Sequence, residues 1–426
     1  MKKLILILTT LIIGFNSNSQ EWKALWEWDF LGQNMIPSPT QMRIDPSTNK
    51  LWFTTLDKMY IIGDAGVEWI DYSDYGVGSL IEFFAVKDGK AWMPLHNNAV
   101  TGDVYSYDGT TVNLEITLGV MAYTIEFDNE DTLWIGSNNW DGISCHAFKD
   151  GDTVIYDDMN SPMLNMNIYN IFEDSYGRKW ISFYNPGSSS SSSILMWDMS
   201  SGTSIYYSYY QGHNLPQFNQ VIKAVQSPAG IVWIATSNGV FMYDEVVEDW
   251  IQYNTDNTNM PSNFVTDIQF DKSGKMWALF KDKALAYTYN MTDWTVFDST
   301  NSPLNFEGGS FGIRSFTIDT LDNIWTADND YLYVYNANGL QGWANNEELE
   351  NNSQIQVYPN PATHELTIQM GEGIIEKVNI FDLSGRQLIK QTNGSNTVDV
   401  SGLSKGQYII VVTVEGTEYV SKFVKQ

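Results

Sequence analysis

One hairpin is written seven times in this chain, and each copy carries a tryptophan in its second strand. The clearest copy, NFVTDIQFDKSGKMWALF, runs from Asn263 to Phe280 as an apolar strand, a turn on Asp271 and Gly274, and a second strand bearing Trp277. NIYNIFEDSYGRKWISF and IRSFTIDTLDNIWTAD repeat it. The tryptophans stand at 52, 92, 134, 180, 233, 277 and 325, with gaps of 40, 42, 46, 53, 44 and 48. Strand signals such as IEFFAV, VWIAT and LYVYN are dense and helix signals are nearly absent. A repeat of this length, too small to bury its own faces, predicts a ring of four-stranded blades, a β-propeller.

Trp69, Trp250 and Trp294 each fall 17 residues after a repeat tryptophan and mark outer strands. The last repeat is one strand short. EWKALWEWDF, near the start of the chain, reads as an outer strand without a blade, and adding it there would close the ring and remove a sheet edge. LQGW at its end is the alternative. The long gap of 53 is explained by the low-complexity loop GSSSSSS, Gly187 to Ser193.

The expected fold class is therefore all-β: a seven-bladed β-propeller followed by a small Ig-like β-sandwich. The opening MKKLILILTTLIIGFNSNSQ has a basic start, an apolar run and small residues at Ser17 and Ser19, which predicts a signal peptide over 1–19. The propeller is expected over 20–343 and a polar, acidic linker over 344–354. Residues 355–426 carry 6 Lys+Arg against 7 Asp+Glu, whereas 20–354 carry 15 against 44, and the tryptophan repeat stops. That shift marks a separate sandwich domain over 355–426. Cys145 is the only cysteine, so no internal disulfide forms.

The formal net charge of −28 repels polyanions, so nucleic acid is not an expected partner. No later segment is long and apolar enough for a membrane helix, so no membrane insertion is expected. The acidity suits cations or neutral partners such as glycans.

The segments HNLPQFNQVIKAVQSPAG (213–230), IVWIATSNGVFMYD (231–244) and NMPSNFVTDIQFDKSGKMWALF (259–280) resemble the propeller repeats of the two-component-regulator type, which form sensor domains outside the cell. Nothing kinase-like follows here, and repeat two departs most, with a short DGK turn and MPLHNN after Trp92. The C-terminal region resembles the type IX secretion sorting domain of Bacteroidetes. The matching segments are VYPNPATHELTI, VNIFDLSGRQL, VDVSGLSKGQYIIVV and the final KFVKQ, with Tyr358, Pro359, Asn360, Pro361, Gly385, Gly406 and Tyr408 as motif residues. This resemblance implies passage through the type IX machinery as partner, a secreted or outer-surface destination, and a cut in the linker.

Asp174, Asp271 and Asp319 sit at the repeated turns, where a carboxylate caps turn amides; the repeat itself argues for structure rather than catalysis. The repeat tryptophans read as packing between sheets. Trp140 and Trp197 lie outside the register and are freer to bind a ligand. HNLPQFN, NMPSNF and NSPLNF link each outer strand to the next inner strand and crowd one mouth of the channel, so Asn214, Asn219, Asn259 and Asn263, with Trp140, are the candidate ligand-binding residues. No HExxH, GxSxG, P-loop or GxGxxG appears in the structural context its chemistry needs, and Cys145 and His146 point to opposite faces of one strand. No catalytic residue is assigned. DGDT, NTDNTN and ADND offer oxygens to Ca²⁺, but none completes a ligand loop, so no cofactor or metal is expected. The leading expectation is a non-enzymatic binding module for glycan or protein at the propeller mouth. The alternatives are a polysaccharide hydrolase or lyase with carboxylates in the channel, and a structural adhesin.

Overall fold

The computed structural model describes residues 22–27, 39–55, 58–63, 66–71, 83–97, 101–137, 145–163, 167–184, 193–208, 215, 221–306, 312–328, 331–336, 355–370, 374–381, 387–392, 394–414 and 417–426. The expected signal peptide, the linker, the LQGW segment and the serine loop up to residue 192 lie outside them. The chain divides into two compact units, Met1–Ala344 and Asn345–Gln426.

Among the described residues the first unit holds seven four-stranded antiparallel sheets and no helix. Their innermost strands are Gln41–Ile44, Ala85–Lys87, Ala122–Phe127, Asn167–Glu173, Val221–Gln226, Val265–Phe270 and Phe316–Ile318. Each sheet, or blade, is built outward in chain order. The exception is the seventh, whose outer strand is Trp22–Glu27, antiparallel to Tyr331–Tyr335. Each innermost strand touches the next, and the seventh touches the first, so the ring is closed. The early chain segment thus supplies the missing strand.

The interfaces between blades explain the tryptophan repeat. Trp52, Trp134, Trp180, Trp233, Trp277 and Trp325 are buried, each in an apolar cluster shared by its own blade and the next. Trp92 is only partly buried and packs edge-on to Phe127 of blade three. Between blades four and five, Trp180, Tyr207, Tyr243 and Trp250 form a four-ring cluster, and the two phenol oxygens are 2.7 Å apart. Rings of this size bury roughly 150–250 Å² each. Trp22 of the closing strand enters the blade six–seven cluster, 5.0 Å from Tyr335 and 5.5 Å from Phe297. Trp197 is also buried, edge-on to Tyr156 between blades three and four. Its place off the register therefore reflects packing on the third strand and not availability to a ligand.

The repeated aspartates have a structural task. In blade four, Asp174 Oδ1 accepts from the amides of Tyr176 and Arg178, and Oδ2 accepts from the Trp180 indole at 2.8 Å. Asp271 serves Ser273, Lys275 and Trp277 in the same way, and Asp319 serves Leu321, Asn323 and Trp325. Asp128, not singled out in the sequence, does the same for Glu130, Thr132 and Trp134. One carboxylate closes the turn and holds the indole.

The second unit is a sandwich of a three-stranded and a four-stranded sheet. Its core includes Leu366, Ile368, Val378, Ile380, Ile410, Val412 and Phe423.

Trp180→Ala should lower the unfolding free energy by about 3–5 kcal/mol, the usual cost of a large buried aromatic. Urea unfolding measures this; an unchanged midpoint would remove Trp180 from the core.

Candidate functional site in the central channel

The seven innermost strands surround a cavity of about 870 Å³. Its two ends differ by topology. One end carries the aspartate turns; the other carries the loops that lead from an outer strand to the next inner strand.

The lining is set by a recurring irregularity. The pairing of the innermost strand with its neighbour slips between Ala122 and Thr124, Ile168 and Asn170, Val221 and Lys223, and Val265 and Asp267. Each slip is a bulge, which places one extra residue in the strand and re-aims its neighbour. In consequence the buried core positions fall at i and i+3, as in Ile168 and Ile171 or Val265 and Ile268. Pairs between them face the channel: Tyr169 with Asn170, Ile222 with Lys223, and Thr266 with Asp267, beside Thr124 of blade three.

Charges in the channel are matched. Arg43 of blade one reaches Glu126 of blade three at 2.7 Å, spanning blade two. Lys223 of blade five pairs with the buried Asp267 of blade six. Burial raises the Asp267 pKa, and the Lys223 ammonium beside it only partly offsets this. Amides join blades around the same wall. Gln41 accepts from the Phe84 amide, Asn170 from the Ala224 amide, and Gln269 bonds both Phe316 and Ile318. At the loop end stand Phe83, Phe264, Lys281, Asp282 and Arg314, and Tyr169 stacks on Tyr123 with centroids 5.5 Å apart.

At the turn end the charges serve packing. Lys179 bonds Asp128 at 2.8 Å and Glu173 at 2.9 Å. Burial works to raise the Asp128 pKa, but hydrogen bonds from Lys179, Trp134 and Thr132 prevail and hold it below the usual carboxylate range. Arg178 joins Asp174 to Glu245 of blade five.

Of the candidate ligand residues, Trp140, Asn214 and Asn219 lie outside the described residues. Asn259 is exposed. Asn263 is half-buried; its side-chain oxygen accepts from Thr255 N at 2.8 Å and its carbonyl from Gly239 N at 2.6 Å. Neither lines the cavity, although Phe264, next to Asn263, does. The Asn/Pro loops also carry apolar plugs: Leu215, Met260 and Leu304 are buried between successive blades. Sequence reading also missed a side-chain staple in three of the connections that lead from an outer strand to the next inner strand. Asn160, Asn257 and Asn301 each accept from the amide three residues back and donate to the carbonyl five residues back. The spelling [DN]-x-x-N-[ST] at 157–161, 254–258 and 298–302 was the available signal. Asn257 of NTDNTN is thereby occupied in a turn. Among the described residues no group of three or more His, Cys, Asp or Glu side chains could hold a metal ion.

Cys145 is fully buried, and burial pushes its pKa up to about 12. His146 is buried beside Ser137, whose Oγ lies 3.4 Å from Nδ1, and burial lowers its pKa.

In the second unit the motif residues meet the end of the chain. Asn360 Oδ1 accepts from Val424 N at 2.9 Å, and Ala362 exchanges backbone bonds with Val424 and Gln426. Tyr408 stacks on Phe423 and donates to Ser404 O. Tyr358, Pro359 and Pro361 are exposed, Gly406 takes φ 159, and Gly385 lies outside the described residues.

A β-propeller joined to a sorting sandwich is the class these two units define. Residues 356–426 match the family model described as a secretion system C-terminal sorting domain. The chain is a propeller protein whose tail marks it for type IX secretion, to the medium or the outer cell surface. Among solved structures, the extracellular domain of a hybrid two-component system from B. thetaiotaomicron is similar with a TM-score of 0.55 and 17% identity, covering 92% of this chain and 55% of that one. The extracellular domain of a one-component system from the same organism gives 0.54 and 12%, covering 96% and 59%. Identities this low show the fold alone. An ulvan lyase of Nonlabens ulvanivorans is 28% identical over 124 residues, which are 28% of this chain and 22% of that enzyme. The chain thus spans about a fifth of that curated relative and somewhat over half of the two solved chains.

His146 gives a pH test. The unfolded chain takes up a proton near pH 6.5 while the folded ring, with its lowered pKa, stays neutral to lower pH. Stability from this group is therefore lost as pH falls through about 6.5. His146→Asn should show a smaller drop in urea midpoint between about pH 7.5 and about pH 5.5 than the parent chain; equal drops would mean that the ring is protonated in the fold.

Proposed function

We propose that this protein is a non-enzymatic recognition module, exported by way of a signal peptide over 1–19 and the sorting tail, that receives a glycan or a protein segment at the loop end of its channel. The propeller is the domain over 20–343, the linker 344–354 is the place of cleavage, and 355–426 is the sorting domain. One observation carries the reading. Bulges in four successive blades turn aromatic and polar side chains into a cavity of about 870 Å³ while the core behind them stays apolar. Such cavities, with a few convergent polar groups, are the usual form of a binding site. Tyr169, Phe83 and Phe264 supply flat apolar faces. Thr124, Asn170 and Thr266 supply hydroxyl and amide partners. Asn259 and Asn263, in the loop before the inner strand of blade six, are proposed to extend the contact surface; Asn214, Asn219 and Trp140, outside the described residues, remain proposed ligand contacts.

A second reading, a polysaccharide hydrolase or lyase, is favoured by one residue. Asp267 lines the channel with a raised pKa and an ammonium against it, a setting suited to proton transfer. The sequence relative bearing a lyase name supports the same direction over its short match. Asp267→Asn distinguishes the two: a binding module retains its ligand and turns nothing over, whereas a lyase loses turnover.

Two measurements test the leading reading. Tyr169→Ala should abolish capture on a glycan array or pull-down without lowering the melting temperature; capture equal to that of the parent would place the ligand elsewhere. Deleting 355–426 should leave the propeller inside the cell envelope, and its normal appearance in the medium would refute the sorting assignment.

A further inference from the structure

We infer that the ligand received at the loop end is a short oligosaccharide bearing carboxylates, held by Arg314 and Lys281. This rests on the channel reading above and narrows it to one chemical class. The chain holds 51 acidic residues against 23 basic ones. The channel wall departs from that balance. Arg43, Lys223, Lys281 and Arg314 face it, against Glu126, Asp267, Asp282 and Asp319. Asp319 is committed to its turn, where it accepts from Leu321, Asn323 and Trp325. Glu126 and Asp267 are committed to Arg43 and Lys223. That leaves Lys281 and Arg314, both exposed and without an ion-pair partner among the described residues, with Asp282 as the only nearby acid of the lining. Among the described residues, the loop-end lining of a strongly acidic protein carries two cations against one carboxylate.

Topology puts the two cations at the same end. Arg314 precedes the inner strand of blade seven, and Lys281 follows the second strand of blade six, with its amide bonded to the Phe264 carbonyl. Lys281 Nζ lies 4.8 Å from the centre of the Phe264 ring. A flat apolar face and an ammonium therefore sit side by side, and a guanidinium lines the same end of the cavity. A guanidinium binds a carboxylate through two parallel N–H bonds. The aromatic face suits a sugar ring, and the hydroxyl and amide belt below, Thr266 and Asn170, suits sugar hydroxyls. An acidic peptide would satisfy the cations but would leave that belt with fewer partners. At physiological salt a charge beyond about 8 Å is largely screened. The overall field still repels a long polyanion, so a short chain or chain end is the fitting form.

The test uses the full chain and calorimetric titration with trigalacturonate, its fully methyl-esterified form, and a glutamate-rich peptide. Trigalacturonate is expected to bind, with the ester weaker by at least about tenfold and affinity falling as salt rises from about 50 to about 200 mM. Arg314→Ala and Lys281→Ala should each weaken it by on the order of tenfold, with unchanged melting temperatures, and Arg314→Lys should recover part of the loss. Equal binding of acid and ester, tighter binding of the peptide, or parent-like affinity in both alanine variants would overturn the inference. In the first of these cases, loss of both sugars in Tyr169→Ala would show that the channel still receives the ligand and that only the acidic class is wrong. Absence of binding by all three probes, with capture of some other molecule that depends on Tyr169, would likewise overturn the acidic class and leave the channel reading standing.

Discussion

The indole wedge between neighbouring sheets is the contact on which this ring depends. A four-stranded blade has two faces and can cover neither by itself, so each must borrow a neighbour, and a large flat side chain reaches across. The aspartate six residues earlier fixes where that side chain points. It ties two turn amides with one oxygen and the indole with the other, so a mobile connection and a buried donor are settled by the same group. Where the spelling changes, the bond is lost. Blade five has Ser227 in place of the aspartate, and blade one sets Asp45 seven residues ahead of its tryptophan; the indole nitrogens of Trp233 and Trp52 are buried there without an acceptor. At these two interfaces the indole itself is held by apolar contact alone.

Much of this architecture could be read from the chain. The period, the tryptophans and the turn aspartates are local signals whose chemistry forces one geometry. The closing strand was legible as a leftover, because a short last repeat and an orphan strand near the start complete each other. The channel was much less legible. Arg43 and Glu126 are 83 positions apart (126 minus 43), and no local rule links them. The bulges were hidden for another reason. A regular strand alternates with period two, whereas Ile168–Ile171, Val221–Ala224 and Val265–Ile268 bury at a spacing of three, which strand reasoning passes over. The Asn/Pro loops looked like ligand loops because Asn and Pro suit exposed turns. The buried Leu215, Met260 and Leu304 between them were the clue that these loops also seal the ring.

Ion pairs set the character of the channel. Lys223 with Asp267, and Arg43 with Glu126, lie on the wall as matched sets, so the middle of the channel adds little net charge and the difference is made at its loop end. Asp267 bears the cost of burial, and its ionised form would be strongly disfavoured there without Lys223. The tail follows a different principle. Its motif residues act on each other, with Asn360 and Ala362 holding the last residues of the chain as a fixed strand end.

The strand irregularity in blades three to six separates two tasks that an ordinary blade would combine. In a regular ladder every second residue belongs to an interface with the adjoining sheet, so altering what a pore displays risks disturbing what keeps the sheets together. An extra residue at the same depth in four blades gives display sites that bear no share of the wedge. Substitution at sites such as Tyr169 and Ile222 can therefore alter what the channel displays while the indole wedges stay as they are.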